Sequence, residues 1–331
     1  MITLDRVKSK FLRTWNDAVF ESPLISTSLR FPNRNIIVTY HGIDTTGKNP
    51  FNGRHTPLRF FEKQIRFLKK HYTLVPLPEY FKQVSGEKKL CAITFDDGYL
   101  NNMTNALPVL EKYDAPTTFF ITGVNEIKCD ILWADFVNIV SKKCRQDVSI
   151  DGEVFTNLNG NYISKETGLN LLLVAKTEKP DYSFKEKIYA AFRPLVDFKS
   201  DNSLFEYWKL MTDEQLKKFS QSKVVTIGSH GYYHNNLGSI PTEAACQEIS
   251  LSKKYLENLI QKEVTSIGYP DGSYSDEVSR YATSIGVIHQ TCSERFNKEG
   301  DRASIYLKNR AGVYNFDTAA NQLLTALNYP L

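Results

Sequence analysis

Two aspartates stand side by side in "ITFDDGY" (93–99), Asp96 and Asp97, at the end of an apolar run. Adjacent carboxylates repel each other, and burying them is costly unless a positive partner lies close. Far along the chain, "SHGYYH" (229–234) carries His230 and His234. Imidazoles four residues apart can face one side of a helical turn and share a metal ion. With one carboxylate they supply two nitrogens and one oxygen, which leaves a coordination position for water, as a catalytic zinc site requires. The second carboxylate then has separate work. It can take the proton from that water as the water attacks a carbonyl. Adjacency alone leaves open which aspartate binds and which is the base. Two histidines and a carboxylate also describe the triad of a non-haem iron oxygenase, but that reading gives the other aspartate no role.

These residues need elements that deliver them to one place. "NIIVTY" (35–40), "TLVPL" (73–77), "CAITF" (91–95), "TTFFIT" (117–122), "VVTIG" (224–228) and "VTSIGY" (264–269) are apolar runs without polar alternation. Such runs predict parallel strands buried on both faces. Helical spacing predicts helices over 58–71, 101–113, 212–221, 242–261 and 275–286, with a capping box from Thr212 to Gln215 and a cap at Ser275. Strand–helix alternation implies an α/β fold with a parallel sheet or barrel. In α/β barrels the active site lies at the carboxyl ends of the strands. His41 in "VTYHGI", Asp96 and Asp97, His230, and Asp271 in "YPDG" all follow strand ends and therefore share that rim. Residues 136–209 break the rhythm. "VSIDGEVF" predicts a hairpin turning at Asp151–Gly152, and the region reads as an insertion folded beside the barrel.

Bulk properties bound the function. The chain has 331 residues, 41% hydrophobic and 24% charged, the balance of a globular protein with a sizeable core. A net charge of +4 without a polybasic run gives no case for nucleic acid. Five cysteines, an odd number with no C-x-x-C spacing, argue against a disulfide framework and against a thiolate zinc site. The first residues do not resemble a secretory signal, so the expected compartment is the cytoplasm. Val7, Phe11, Trp15 and Val19 form an amphipathic pattern that predicts a docking helix, with peripheral membrane contact as the alternative.

"TFDDGY" (94–99), "SHGYYH" (229–234) and "YPDGSYSDEV" (269–278) resemble the first three motifs of the polysaccharide deacetylases, the carbohydrate esterase family 4 or NodB-homology enzymes. "TTFFIT" and "LWADFV" are similar to the usual continuation after the first motif. The resemblance covers about residues 34–135 and 210–315. It implies a distorted (β/α)7 barrel in a single domain over 1–331, its core at about 34–135 and 210–320, with an inserted α+β region at 136–209. It implies metal-dependent removal of acetyl groups from N-acetylated sugars, with Zn2+ or Co2+. By motif match Asp96 is the base, and Asp97, His230 and His234 are the metal ligands. The backbone N–H of Asp271 is the candidate holder of the oxyanion. Two departures stand out. Gly268 replaces the arginine that begins the family's third motif, and Arg310 in "LKNRAGVY" is the candidate substitute. The late histidine that serves as general acid has no match: His289 reads as a structural strand residue, and His41 is the candidate acid. These departures make a glycan-binding protein on a degenerate scaffold the alternative. The expected substrate is an N-acetyl sugar of a surface glycan or its precursor, nucleotide-linked or lipid-linked.

Overall fold

Runs of Ile, Val, Thr and Phe fit a pleated surface that is covered on both sides, and here they form parallel strands. The computed structural model describes residues 34–47, 51–82, 89–293, 304–315 and 318–328, with Thr14 and Phe20. Val7, Phe11, Trp15 and Val19, which carry the expected docking helix, lie outside the described residues. The barrel strands are β1 (Ile36–Tyr40), β2 (Leu90–Phe95), β3 (Thr117–Ile121), β4 (Val225–Ser229), β5 (Ser266–Gly268) and β6 (His289–Cys292). Each pairs in parallel with the next. A final run is split at Arg310 into β7 (Leu307–Asn309) and β8 (Ala311–Gly312). β7 pairs with β6, and β8 pairs with β1. One stretch of chain therefore spans both edges of the sheet and nearly closes it. With that stretch counted once, the architecture is the (β/α)7 barrel that the motifs implied.

Helices Leu58–His71, Asp213–Phe219, Thr242–Ile260 and Asp276–Ser284 lie in the connections between strands. The capping box of Thr212 and Gln215 is formed, and the Ser275 side chain accepts from the Val278 N–H. "TLVPL" is not a full strand. Only Thr73–Leu74 pairs with β2, because Pro76 has no N–H to continue the ladder, and a helix begins at Leu77. After the aspartate pair, a widened π-helical turn at Asn102–Ala106 leads into Leu107–Lys112. Pro108 cannot bond to the carbonyl four residues back, which accounts for the widening.

Between β3 and β4 the chain leaves the barrel pattern. Helix Trp133–Lys143 is followed by a separate antiparallel sheet, Val148–Ile150, Glu153–Leu158 and Asn161–Ser164. Its first turn is the Asp151–Gly152 pair, both with positive φ (+56° and +83°), as a two-residue hairpin with native twist requires. Helix Tyr182–Phe192 closes over it. Phe136, Phe155, Phe192 and Trp208 belong to an apolar cluster distinct from the one that fills the barrel.

Candidate active site

Asp96 follows the last residue of β2, and its N–H bonds to the Tyr40 carbonyl of β1. The chain then turns sharply. Asp97 has φ +79° and Gly98 φ +89°, and the Gly98 N–H reaches back to the Asp96 carbonyl at 3.0 Å. A left-handed φ is uncommon for an aspartate and marks a constrained position. The turn separates the two carboxylates, so each finds its own partners.

Asp97 faces the histidines. Its Oδ1 lies 3.4 Å from Nε2 of His230 and 3.2 Å from Nε2 of His234. The three candidate donor atoms lie within 4.8 Å of one another, and all three side chains are buried. Despite this closeness Oδ1 has no hydrogen bond of proper geometry. Nδ1 of His230 is 2.6 Å from the Gly268 carbonyl. That contact makes Nδ1 the protonated nitrogen and leaves the Nε2 lone pair facing Asp97. A carboxylate oxygen and imidazole lone pairs converging on one point suit a divalent cation of the zinc or cobalt kind. Burial alone would raise the pKa of Asp97, but its contacts with His230 and His234 outweigh that and hold it well below the usual carboxylate range.

The two histidines do not share a helical turn, contrary to the spacing argument. They lie on a loop, with Gly231 at φ +73° and His234 at φ +57°, and their ring centroids are 5.0 Å apart. The loop is shaped by buried groups rather than by helical hydrogen bonds. The Glu248 carboxylate accepts from the N–H groups of Tyr232 and Tyr233 at 3.2 and 3.0 Å. Trp133 Nε1 donates to the His234 carbonyl at 3.3 Å.

Asp96 faces the other way. Arg310 grips it with two parallel hydrogen bonds, Nη1 to Oδ1 at 2.6 Å and Nη2 to Oδ2 at 2.8 Å. Arg310 is only 6% exposed and its guanidinium lies 5.2 Å from the ring centroid of Phe120. Gly268 makes room for this. A Cβ at 268 would meet the Phe120 ring at 2.7 Å and Arg310 Nη2 at 3.1 Å. The glycine standing at the head of the third motif and the arginine on the closing strand are thus neighbours in space. Burial would raise the Asp96 pKa, but Arg310, followed by His230 and His41, overcomes it and lowers the value.

His41 lies beside this pair, with Nε2 3.8 Å from Asp96 Oδ2. Its carbonyl accepts from Asn102 Nδ2 at 2.7 Å. Burial pushes the imidazole down to about 4, against the opposing pull of Asp97 and Asp96. Asp271 sits on the same rim at φ +52°, in the turn Pro270–Gly272. Its carboxylate is held by Lys176 at 2.6 Å and by Arg54 at 3.5 Å. Burial notwithstanding, those cations bring it down to about 2. His289 stands apart from the rim. It is the first residue of β6, half-buried against Phe81 and within 3.3 Å of Thr265 Oγ1.

A cleft of about 920 Å3 opens over the rim and is lined by His41, Asp96, His230, His234, Asp271 and Arg310, among others. Arg54 and Lys176 also line it and were not singled out in the sequence, since neither belongs to a motif. Asp135, in "LWADF", carries no sequence signal of its own. It is buried, accepts from the Tyr99 hydroxyl at 2.6 Å, and burial raises it to about 7.

The fold and site together define a parallel barrel with an Asp–His–His cluster and an arginine-clamped aspartate at its carboxyl rim. The polysaccharide deacetylase family model matches residues 83–146 and 185–288, half of the chain. The chain belongs to the polysaccharide deacetylase family. The unmatched residues between these stretches hold the separate three-stranded sheet. The chain is 22% identical over 255 residues to "Putative polysaccharide deacetylase YxkH" of Bacillus subtilis, covering 76% of this chain and 61% of that protein. It therefore spans less than two thirds of that relative's length. Among solved structures, the Streptococcus pyogenes deacetylase PplD in complex with acetate has the same fold at a TM-score of 0.54 and 17% identity, covering 88% of this chain and 98% of that one. IcaB from Ammonifex degensii follows at a TM-score of 0.52 and 15% identity, covering 89% and 97%.

Proposed function

We propose that this protein is a metal-dependent deacetylase that hydrolyses the N-acetyl group of an amino sugar in a cell-surface glycan or its precursor. The observation that carries the reading is the division of labour between adjacent aspartates: Asp97 with two histidines, Asp96 with Arg310. In this reading Asp97, His230 and His234 hold a divalent ion, Zn2+ or Co2+. Such an ion supplies Lewis-acid polarisation of the acetamide carbonyl and acidifies water.

The chain's own residues do the rest. Asp96, kept ionised by Arg310, takes a proton from the attacking water. The carbon–nitrogen bond then breaks, and the proton moves to the leaving amine as acetate is released. His41, neutral near pH 7 and next to Asp96, stands where it can pass that proton on. The backbone N–H of Asp271 is the candidate donor to the developing oxyanion, and the Lys176 and Arg54 contacts fix the turn that carries it. The cleft is large enough for a short glycan segment. A nucleotide-linked or lipid-linked N-acetyl sugar, met in the cytoplasm, is the substrate form proposed. Residues 136–209 act as an insertion that shapes access, since Leu173, Lys176 and Thr177 line the cleft.

The test is acetate release from N-acetylated sugar oligomers and nucleotide-linked N-acetyl sugars, with chelated protein to which Zn2+ or Co2+ is returned. Metal-restored acetate release supports the reading. Glycan binding with no acetate release under any metal would replace it with a binding protein on a degenerate scaffold.

A further inference from the structure

The loop that carries His234 is held from outside the barrel by a residue no motif includes. Lys185 lies on helix Tyr182–Phe192 of the inserted region, yet it is 1% exposed. A lysine is almost never fully buried without partners. Its Nζ donates to Asn235 Oδ1 at 2.8 Å and to the Pro180 carbonyl. Asn235, the residue after His234, passes the link on: its Nδ2 donates to Glu248 Oε1 at 2.7 Å. The other Glu248 oxygen accepts the Tyr232 and Tyr233 N–H groups. Lys185 Nζ also lies 5.3 Å from the ring centroid of Trp133, whose Nε1 bonds to the His234 carbonyl. Lys185 thus meets both Asn235, the residue that follows His234, and Trp133, which holds the His234 carbonyl.

This geometry has a physical consequence. His234 is in the left-handed region, where a non-glycine residue persists only if its surroundings hold it. Glu248 is a buried carboxylate whose direct partners are amides, and Lys185 is the cation closest along the chain of hydrogen bonds. Burial presses the Lys185 ammonium down to about 7, so the site bears an energetic cost for keeping a lysine there. An apolar residue of the same length would fill the space without that cost.

We propose that Lys185 is a positioning residue for the His234 ligand, so that the inserted region helps to build the metal site as well as to border the cleft. The proposal rests on the reading of Asp97, His230 and His234 as metal ligands. Partners behind metal ligands commonly change affinity by about 10–100-fold when removed.

The test is Co2+ binding to the full chain, followed by competition with a chelator and by the visible absorption of the bound ion. Lys185→Met keeps the length of the side chain and removes its donor; Asn235→Ala cuts the same link from the other side. Each variant, checked for folding by circular dichroism, should bind Co2+ about 10–100-fold more weakly and show an altered visible spectrum. Lys185→Gln, which restores a donor, should recover part of the affinity. Unchanged Co2+ affinity and spectrum in either folded variant would overturn the proposal. His234→Ala separates the two readings. If it too leaves affinity unchanged, the ligand assignment fails. If it alone abolishes binding, the ligands stand and the role of Lys185 falls.

Discussion

Arg310 and Lys165 each meet an aspartate at 2.6 Å, one at the barrel rim and the other on the inserted sheet. Distance does not distinguish them; surroundings do. The side chains of Arg310 and Asp96 are both 5% exposed, whereas those of Lys165 and Asp147 are 51% and 47% exposed. Water and salt screen the outer pair, and two long flexible side chains lose freedom to form it. The inner pair is fixed by Phe120, by the space at Gly268 and by two-point geometry. Such a pair is strongly missed when one partner goes, because a buried charge remains. The rim buries this ion pair, whereas the Lys165–Asp147 pair stays in solvent at the edge of a region packed on aromatic side chains.

The comparison breaks first at the metal ligands. Asp97→Ala should lose both metal, by elemental analysis, and acetate release; full metal occupancy would refute the ligand assignment. Asp96→Asn keeps the shape of the side chain without a basic oxygen. It should retain metal and lose on the order of 10²–10⁴-fold in rate. Near-normal turnover in that variant would remove Asp96 from the mechanism.

Arg310→Met should leave Asp96 buried without its cation and cost about 3–5 kcal/mol of stability, measured by urea unfolding. The same change has a pH signature. The Asp96 pKa is lowered although burial opposes it, with Arg310 the leading reason. With Asp96 as the proposed base, the ionised form is the active one, and the rate should fall as pH drops through that lowered value. The stability contributed by the pair is likewise present above the ordinary aspartate range and lost as pH falls through the folded-state value. Without Arg310 the acid limb of the rate profile should move to higher pH. An unmoved limb would mean that Arg310 does not set the charge of Asp96. The smallest effect is expected on the inserted sheet: Lys165→Ala should leave the melting temperature and the rate unchanged within error.

The strands and most of the site were legible because both rest on local pattern. A buried parallel strand shows as an unbroken apolar run, and "TFDDGY" and "SHGYYH" sit at strand ends. "TLVPL" forms only a short strand, since its one proline, Pro76, weighs more on the ladder than its apolar content does. The helical placement of His230 and His234 failed for a different reason. Spacing of four residues does not report that Gly231 and His234 turn left-handed, or that Glu248, fourteen residues on from His234, supplies the hydrogen bonds a helix would have made. Arg310 could be named from sequence only as a candidate, because its partner lies 214 residues away. Lys185, Arg54 and Lys176 had no sequence signal at all. Their roles come from tertiary placement on segments outside the motifs.

The seam of the barrel has a consequence for synthesis. β1 and β2 emerge from the ribosome early, and they bring Asp96 with them. The cation that neutralises Asp96 arrives only with the run 307–312, the same run that joins the two edges of the sheet. A nascent chain that ends before it holds a carboxylate at the end of β2 without its arginine, which disfavours burying it, and sheet edges without their closing strand. Contacts so distant in sequence also form slowly. Closing the ring and giving Asp96 its arginine are therefore one event, and the buried ion pair forms only once the run 307–312 is in place.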